Sequence, residues 1–190
     1  MSRERWVDEG MRVLAEEGAP GVRIDRIAAR LRLSKGSFFH HFTGIADYRR
    51  ALLAEWENGA VLEPGDVEPN ALLGGLAARV GTLVDLRLEA AIRAWSLQDA
   101  EAAAAQERVD RARLGVLESV WLRIIDDPAR AHAAALLPHL LVIGASVALP
   151  PTSRADLESV FGLLAELVPA VSPDPGRDVR GGAFSGTSGA

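Results

Sequence analysis

Between Val22 and Phe42 two short apolar-periodic segments flank a gap of a few residues, a pattern that two short helices joined by a tight turn satisfy. Ile24, Ile27, Ala28 and Leu31 recur at i, i+3, i+4 and i+7, which gathers the apolar side chains on one stripe and sends Arg23, Arg26 and Arg30 to another. The second helix is expected to start at Ser34, whose hydroxyl can cap an orphan backbone N–H. Leu33 and Phe38 stand at the N′ and N4 positions of a hydrophobic staple that fixes the entry angle. The first turn, Lys35, Gly36 and Ser37, is then small, cationic and rich in free donors.

Such a helix start suits a nucleic-acid duplex, because its free amides favour phosphate and short side chains allow close approach to base edges. Phe38 and Phe42, one turn apart, are expected in the core, whereas Phe39, His40 and His41 fall on a face with no other apolar stripe. The expected DNA-binding residues are therefore Arg23, Arg26, Ser34, Lys35, Gly36, Ser37, Phe39, His40 and His41.

The run from Leu33 to Phe42 resembles the recognition-helix motif of TetR-type transcriptional regulators. The likeness extends upstream to an amphipathic helix ending at Gly18 and downstream to an acidic helix start at Asp47 followed by Tyr48, Leu52 and Trp56. In the second half, Leu88 to Trp95 and Arg108 to Leu114 are similar to segments of the regulatory domain of one subgroup. Three positions depart from the family pattern. Arg32 stands where Gly commonly makes the turn, so a left-handed residue there would carry a Cβ. Phe39 replaces a frequent Tyr and loses its hydroxyl donor, and Ile45 replaces a frequent Lys, which leaves Lys35 as the only lysine in the chain.

With 190 residues and 48% hydrophobic side chains, the chain can bury a sizeable core. The net charge of −5 argues against indiscriminate coating of nucleic acid, but its distribution matters more. Residues 1–58 hold 10 Lys+Arg against 9 Asp+Glu, leaving 11 against 17 for the rest. Residues 23–35 hold five cations (Arg23, Arg26, Arg30, Arg32 and Lys35) against Asp25 alone, so the positive potential is expected to be local.

The expected fold is all-α: an N-terminal three-helix helix-turn-helix head joined to a helical regulatory and dimerisation body. The first helix should run from a Ser2 cap to Gly18 on a stripe of Val7, Met11, Leu14 and Ala15, and a fourth helix over 45–58 should link head to body through Ile45, Tyr48, Leu52 and Trp56. The head is thus residues 1–58. Gly59, Pro64, Gly65 and Pro69 make 59–69 a connection, 70–171 form the ligand-binding and dimerisation domain, and 172–190, heavy in Gly, Ser and Pro, a disordered tail. Body helices are expected near 70–82, 85–97, 99–125, 128–149 and 153–168, with Pro138 kinking the penultimate one near Leu137. Asp126 and Asp127 before Pro128 read as a cap, and Thr152 or Ser153 as the cap of the last helix.

In the last two helices, Leu136, Leu140, Ile143, Gly144 and Val147, then Leu157, Val160, Phe161, Leu164 and Val168, form stripes wide enough for both a core and a partner subunit; these are the expected dimer-interface residues. The apolar run from Ala133 to Pro150, interrupted by Pro138 and His139, is shorter than the ~20 residues of a membrane span and reads as a buried helix. A charged first ten residues argue against a leader, and cytoplasm is the expected compartment.

No cysteine is present, which excludes disulfides, thiolate metal sites and a Cys nucleophile. His40 and His41 point about 100° apart on a helix, and His132 and His139 stand roughly 10 Å apart along an ideal axis, too far to share one ion, so no metal is expected. No phosphate loop, nucleotide fingerprint or Ser-His-Asp spacing is seen, so neither a cofactor nor catalysis is expected. A small-molecule effector would find a rigid aromatic wall in Trp95 and Trp121, with Arg93, Gln98, His132 and His139 for polar contacts; ordinary core tryptophans explain the same two rings. The functional expectation, with the repressor role implied by the resemblance, is a ligand-responsive repressor that binds a double-stranded palindromic operator as a homodimer and is no enzyme. The alternative is a dimeric small-molecule-binding module of the same fold with weak or lost DNA binding, motivated by Arg32, Phe39 and Ile45.

Overall fold

A computed structural model describes residues 2–60 and 84–167, and the described residues are helical with no strand. In chain order the helices are α1 (Arg3–Glu17), a short 3-10 turn (Ala19–Gly21), α2 (Ile24–Leu31), α3 (Lys35–Phe38), α4 (Ile45–Ala60), α5 (Leu86–Ser96), α6 (Ala100–Trp121), α7 (Pro128–Val147) and α8 (Arg154–Leu167). The expected helix over 70–82, residues 61–69 of the connection, Val168 and the tail lie outside the described residues.

The head closes around aromatic rings. α1 buries Trp6, Val7, Val13 and Leu14, so Val7 and Leu14 of the expected stripe are in the core and Met11 and Ala15 half-buried, and Phe38 stands edge-on to Trp6 at 5.4 Å and to Tyr48 at 5.3 Å. Phe42 lies against Tyr48 at 4.8 Å, and both Phe38 and Phe42 are buried as expected. The Tyr48 hydroxyl donates to the Trp6 carbonyl, so the polar end of the buried ring is satisfied. α1 and α4 approach so closely at Gly10 that a Cβ there would stand 2.1 Å from the Tyr48 hydroxyl oxygen and 2.7 Å from a Leu52 methyl. Asp47, in the first turn of α4, accepts from the Thr43 N–H at 2.9 Å, and that backbone donor holds its carboxyl below the usual range.

The same hydrophobic cluster continues into the body through Ile92 and Trp95 of α5 and Ala102, Ala105 and Val109 of α6. A second cluster joins Leu117 and Trp121 of α6 to Ile125, Ala131 and Ala135 of α7 and Leu157 and Phe161 of α8. Side-chain caps start the body helices: Asp85 accepts from Arg87 and Leu88 N–H groups, Asp99 from Glu101 and Ala102, Asp127 from Ala129, and Ser153 from Asp156. α6 ends at Trp121, four residues short of the expected 125.

α7 departs from the reading of a buried helix. It spans 20 residues, its mean hydropathy of 1.3 makes it long and apolar enough to cross a membrane by length and composition, and only 17% of that window is buried. Only Ala131, Ala135 and Pro138 are buried, because one narrow strip of small residues faces α5 and α6. Leu137, Leu140 and Val147 point outward, and the helix is continuous through Pro138.

Candidate nucleic-acid interface

The turn between α2 and α3 is a Schellman motif. The Leu33 N–H reaches the Ala28 carbonyl at 2.8 Å and the Arg32 N–H the Ala29 carbonyl at 3.1 Å, which places Arg32 at the position where glycine is usual. Arg32 adopts the left-handed conformation there (φ 58°, ψ 43°), the sole positive φ of a non-glycine among the described residues. The turn therefore keeps its geometry and accepts the Cβ, rather than changing shape.

α3 follows as a short helix. The Ser34 hydroxyl accepts from the Ser37 N–H at 3.3 Å, Leu33 packs on the head core, and Phe38 is buried, so cap and staple pin the segment from beneath. The outer side carries exposed Ser34, Lys35, Gly36 and His40, with Ser37 and His41 half-buried. Phe39 is 58% exposed, an unusual placement for a large ring, and stands edge-on to Phe38 at 5.4 Å.

The cations of this region divide into two groups. Arg23 bonds Asp25 at 2.9 Å, and Arg26 puts Nε and Nη2 on Glu17 at 3.1 and 2.7 Å. Arg30 is held by Glu9 and, at 2.6 Å, by Glu16. The Arg26 and Arg30 bonds tie α2 to α1 across the head, while the Arg23 bond is local to the start of α2. Arg32 and Lys35 are exposed and have no acidic partner among the described residues. The positive potential expected over residues 23–35 is thus concentrated on two side chains beside α3. The sequence signal for the clamp existed, in Glu9, Glu16 and Glu17 one or two turns apart on α1, but only the packing of α1 on α2 pairs them with arginines.

The six expected effector residues do not converge. Trp95 is buried in the cluster shared with the head and Trp121 in the second cluster, so both take the core role. Gln98 is exposed beyond the end of α5, and His132, also exposed, bonds Glu118. Only Arg93 and His139 come near one another, at the junction of α5, α6 and α7. Arg93 grips Asp110 with two bonds of 3.0 and 2.8 Å, and Arg113 joins Glu89 at 2.6 Å to the Ala60 carbonyl at the end of α4 at 2.9 Å. Burial works against the Asp110 charge, but the Arg93 guanidinium outweighs it and holds the carboxyl low, while burial pushes His139 below its ordinary value. A groove of about 520 Å³ opens beside Asp110, His139, Ser96 and Leu114. Gln106, which the sequence reading passed over, is buried in its wall beside Asp110.

Of the expected dimer-interface residues, Leu157 and Phe161 are buried in the subunit's own second cluster, the core part of the expected stripe, and Leu164 is half-buried against it. The α8 stripe turns inward because Leu117, Trp121 and Ala135 need a cover. Leu140, Gly144, Val147 and Val160 are exposed, Leu136 and Ile143 half-buried. Leu137 and Leu163 are exposed apolar residues of the same two helices that the stripe reading left out.

Residues 7–52 match the family model described as bacterial regulatory proteins, tetR family. No curated protein matches. Among solved structures, a transcriptional regulator from Rhodococcus sp. Rha1 is 21% identical with a TM-score of 0.70, covering 90% of this chain and 98% of its own. A protein described as a TetR-family transcriptional regulator from Mesorhizobium loti is 18% identical with a TM-score of 0.63, covering 90% and 98%. The transcriptional regulator FadR from Bacillus subtilis, solved with stearoyl-CoA, is 16% identical with a TM-score of 0.63, covering 88% and 97%. At these identities the likeness is one of fold.

Proposed function

We propose that this chain, whose residues 7–52 match the family model of bacterial regulatory proteins, tetR family, is a ligand-responsive repressor that binds a palindromic operator as a homodimer. The observation that carries the reading is α3 itself: a capped segment anchored by buried Phe38 that presents Lys35, Gly36, Ser37, Phe39, His40 and His41 outward. Arg23 and Arg26 join this surface with the N–H donors that Asp25 and Glu17 leave unused, their charge already partly offset by those acids. A dimer would hold two such segments about 34–36 Å apart to enter successive major grooves, and an effector favouring another spacing would weaken binding by population shift. The domain plan of head 1–58 and body 70–171 is part of the same proposal, and the ions from Arg93 through Glu89 and Arg113 to Ala60 give the body a physical grip on α4.

The partner subunit is proposed to cover the outward face of α7 and α8, where Leu140 and Leu163 are 56% and 61% exposed. Changing both to Glu is expected to give monomers by sedimentation, since unpaired charge would be buried at the contact; an intact dimer would move the contact elsewhere. For DNA, the test is fluorescence anisotropy of a duplex from the protein's own promoter against a random duplex across a salt series. Salt-dependent binding with preference for the promoter is the expected result, and Lys35→Ala should weaken it on both duplexes. A second reading, a dimeric ligand-binding module with lost DNA binding, is favoured by the acids that occupy Arg23, Arg26 and Arg30; absence of salt-dependent binding selects it.

A further inference from the structure

We propose that Arg32 is a DNA-backbone contact of this chain, and that Arg30, despite lying in the same cationic run, is a structural clamp with no part in DNA binding. The proposal rests on the DNA-binding reading above and sorts the cations by what already holds them. Arg30 is mostly covered and bonded to Glu9 and Glu16 of α1. A phosphate approaching it would have to replace two carboxylates in bonds already made. Arg32 is exposed, its guanidinium has no partner among the described residues, and it stands three residues before Lys35, the other unpaired cation.

Three residues of chain span at most about 11 Å. One DNA strand carries a phosphate for about every 3.4 Å of helix axis, so a strand that meets Lys35 also offers phosphates within range of Arg32. The backbone at Arg32 points the same way. The left-handed turn is made by the Ala28 and Ala29 carbonyls whatever the side chain, and glycine would make it without strain. An arginine there adds nothing to the fold, since its side chain bonds no described residue. What it does add is a second free cation in a head whose other α2 charges are cancelled internally. In this way the chain recovers a phosphate contact of the kind that Phe39, lacking a hydroxyl donor, and Ile45, lacking a charge, do not supply.

The experiment compares Arg32→Gln, Arg32→Gly and Arg30→Gln with the parent in the full-length protein. Affinity for the promoter duplex and for a random duplex is measured from low to moderate salt, and thermal melting is followed without DNA. Loss of one phosphate contact lowers the slope of log affinity against log salt by about 0.9. Both Arg32 variants are expected to show that reduction on both duplexes alike, because a phosphate contact positions without reading sequence. Arg32→Gln should melt with the parent and Arg32→Gly no lower. Arg30→Gln should melt lower and keep the parent slope. Parental slopes in both Arg32 variants would overturn the proposal, as would a slope reduced by Arg30→Gln at unchanged melting temperature. The parent's own slope tests the DNA-binding reading separately, so the two failures are distinguishable.

Discussion

The head and the body of this protein both use arginine–carboxylate pairs, but the body gathers several of them into one buried network. In the head, rings fill the interior and the pairs lie at its edge or outside: Trp6, Phe38, Phe42 and Tyr48 pack edge to face, while Arg30 reaches the buried Glu9 from the rim and Arg26 meets Glu17 with 53% of its own side chain exposed. In the body, Arg111–Glu107 and Arg154–Glu158 lie on the surface, but a group of linked pairs is inside. Glu89 is 3% exposed, and Arg93, Asp110 and Arg113 crowd around it between three helices. Exposed pairs exchange water for a partner at little gain, whereas buried charges cost several kcal/mol to desolvate and depend on one another. The head is therefore built to hold a fixed shape through packing, and the body is built around a polar network whose members cannot be changed singly.

The largest expected effect follows from that network. Arg113→Ala leaves Glu89 buried with only the longer Arg93 contact of 3.8 Å and removes the bond to Ala60, so a loss of about 3–5 kcal/mol is expected by urea unfolding. The double change Glu89→Leu with Arg113→Met should recover most of it, since a well-packed apolar replacement of a buried pair is often neutral. A double variant as unstable as the single one would mean that the charges are not the cause and would erase the contrast with the head.

Next in size is Gly10→Ala, which probes the head by packing instead of charge. The new methyl would meet the Tyr48 hydroxyl and Leu52 inside touching distance, and overpacking of this kind costs about 1–3 kcal/mol. Since Tyr48 is tied to the Trp6 carbonyl, it cannot swing aside without losing that bond. Thermal melting of Gly10→Ala alone and with Tyr48→Phe separates the two contributions; no loss in either would mean that α1 and α4 yield more easily than their contact suggests.

Local signals carried the reading of the head furthest. The Ser34 cap, the Leu33 and Phe38 staple and the burial of Phe38 and Phe42 all depend on residues within one or two turns of each other, so spacing alone locates them. Asp127 before Pro128 was legible for the same reason. What periodicity cannot supply is the partner. Arg26 and Glu17 are nine residues apart, Arg30 and Glu9 twenty-one, and nothing in either segment says that α1 will lie alongside α2 in that register. Trp95 and Trp121 are large and lie in body helices, which fits a ligand wall as well as a core; only the packing assigns them to the core. Leu157 and Phe161 lie in the subunit's own core, and the stripe could not tell them from residues that a partner would cover, because a stripe shows that a face is buried and not by what. α7 fails in the other direction, since an apolar composition does not say whether a helix is covered.

The smallest expected effect sharpens the comparison from the head's side. Arg26→Gln removes an exposed pair, and exposed pairs are worth roughly 0–1 kcal/mol, so its unfolding free energy should lie within that range of the parent's. Salt is the discriminating variable. At about 1 M the screening length is near 3 Å, so the cost of Arg26→Gln should shrink towards nothing, while that of Arg113→Ala, shielded from ions by three helices, should persist. Urea titrations of both variants at low and high salt make the test. Equal salt dependence would place the Arg113 network in reach of solvent and the Arg26 pair on the same footing. A salt-proof cost at Arg26 would make Glu17 a structural anchor of α2, and the guanidinium would then be less available to a DNA phosphate than its exposure implies.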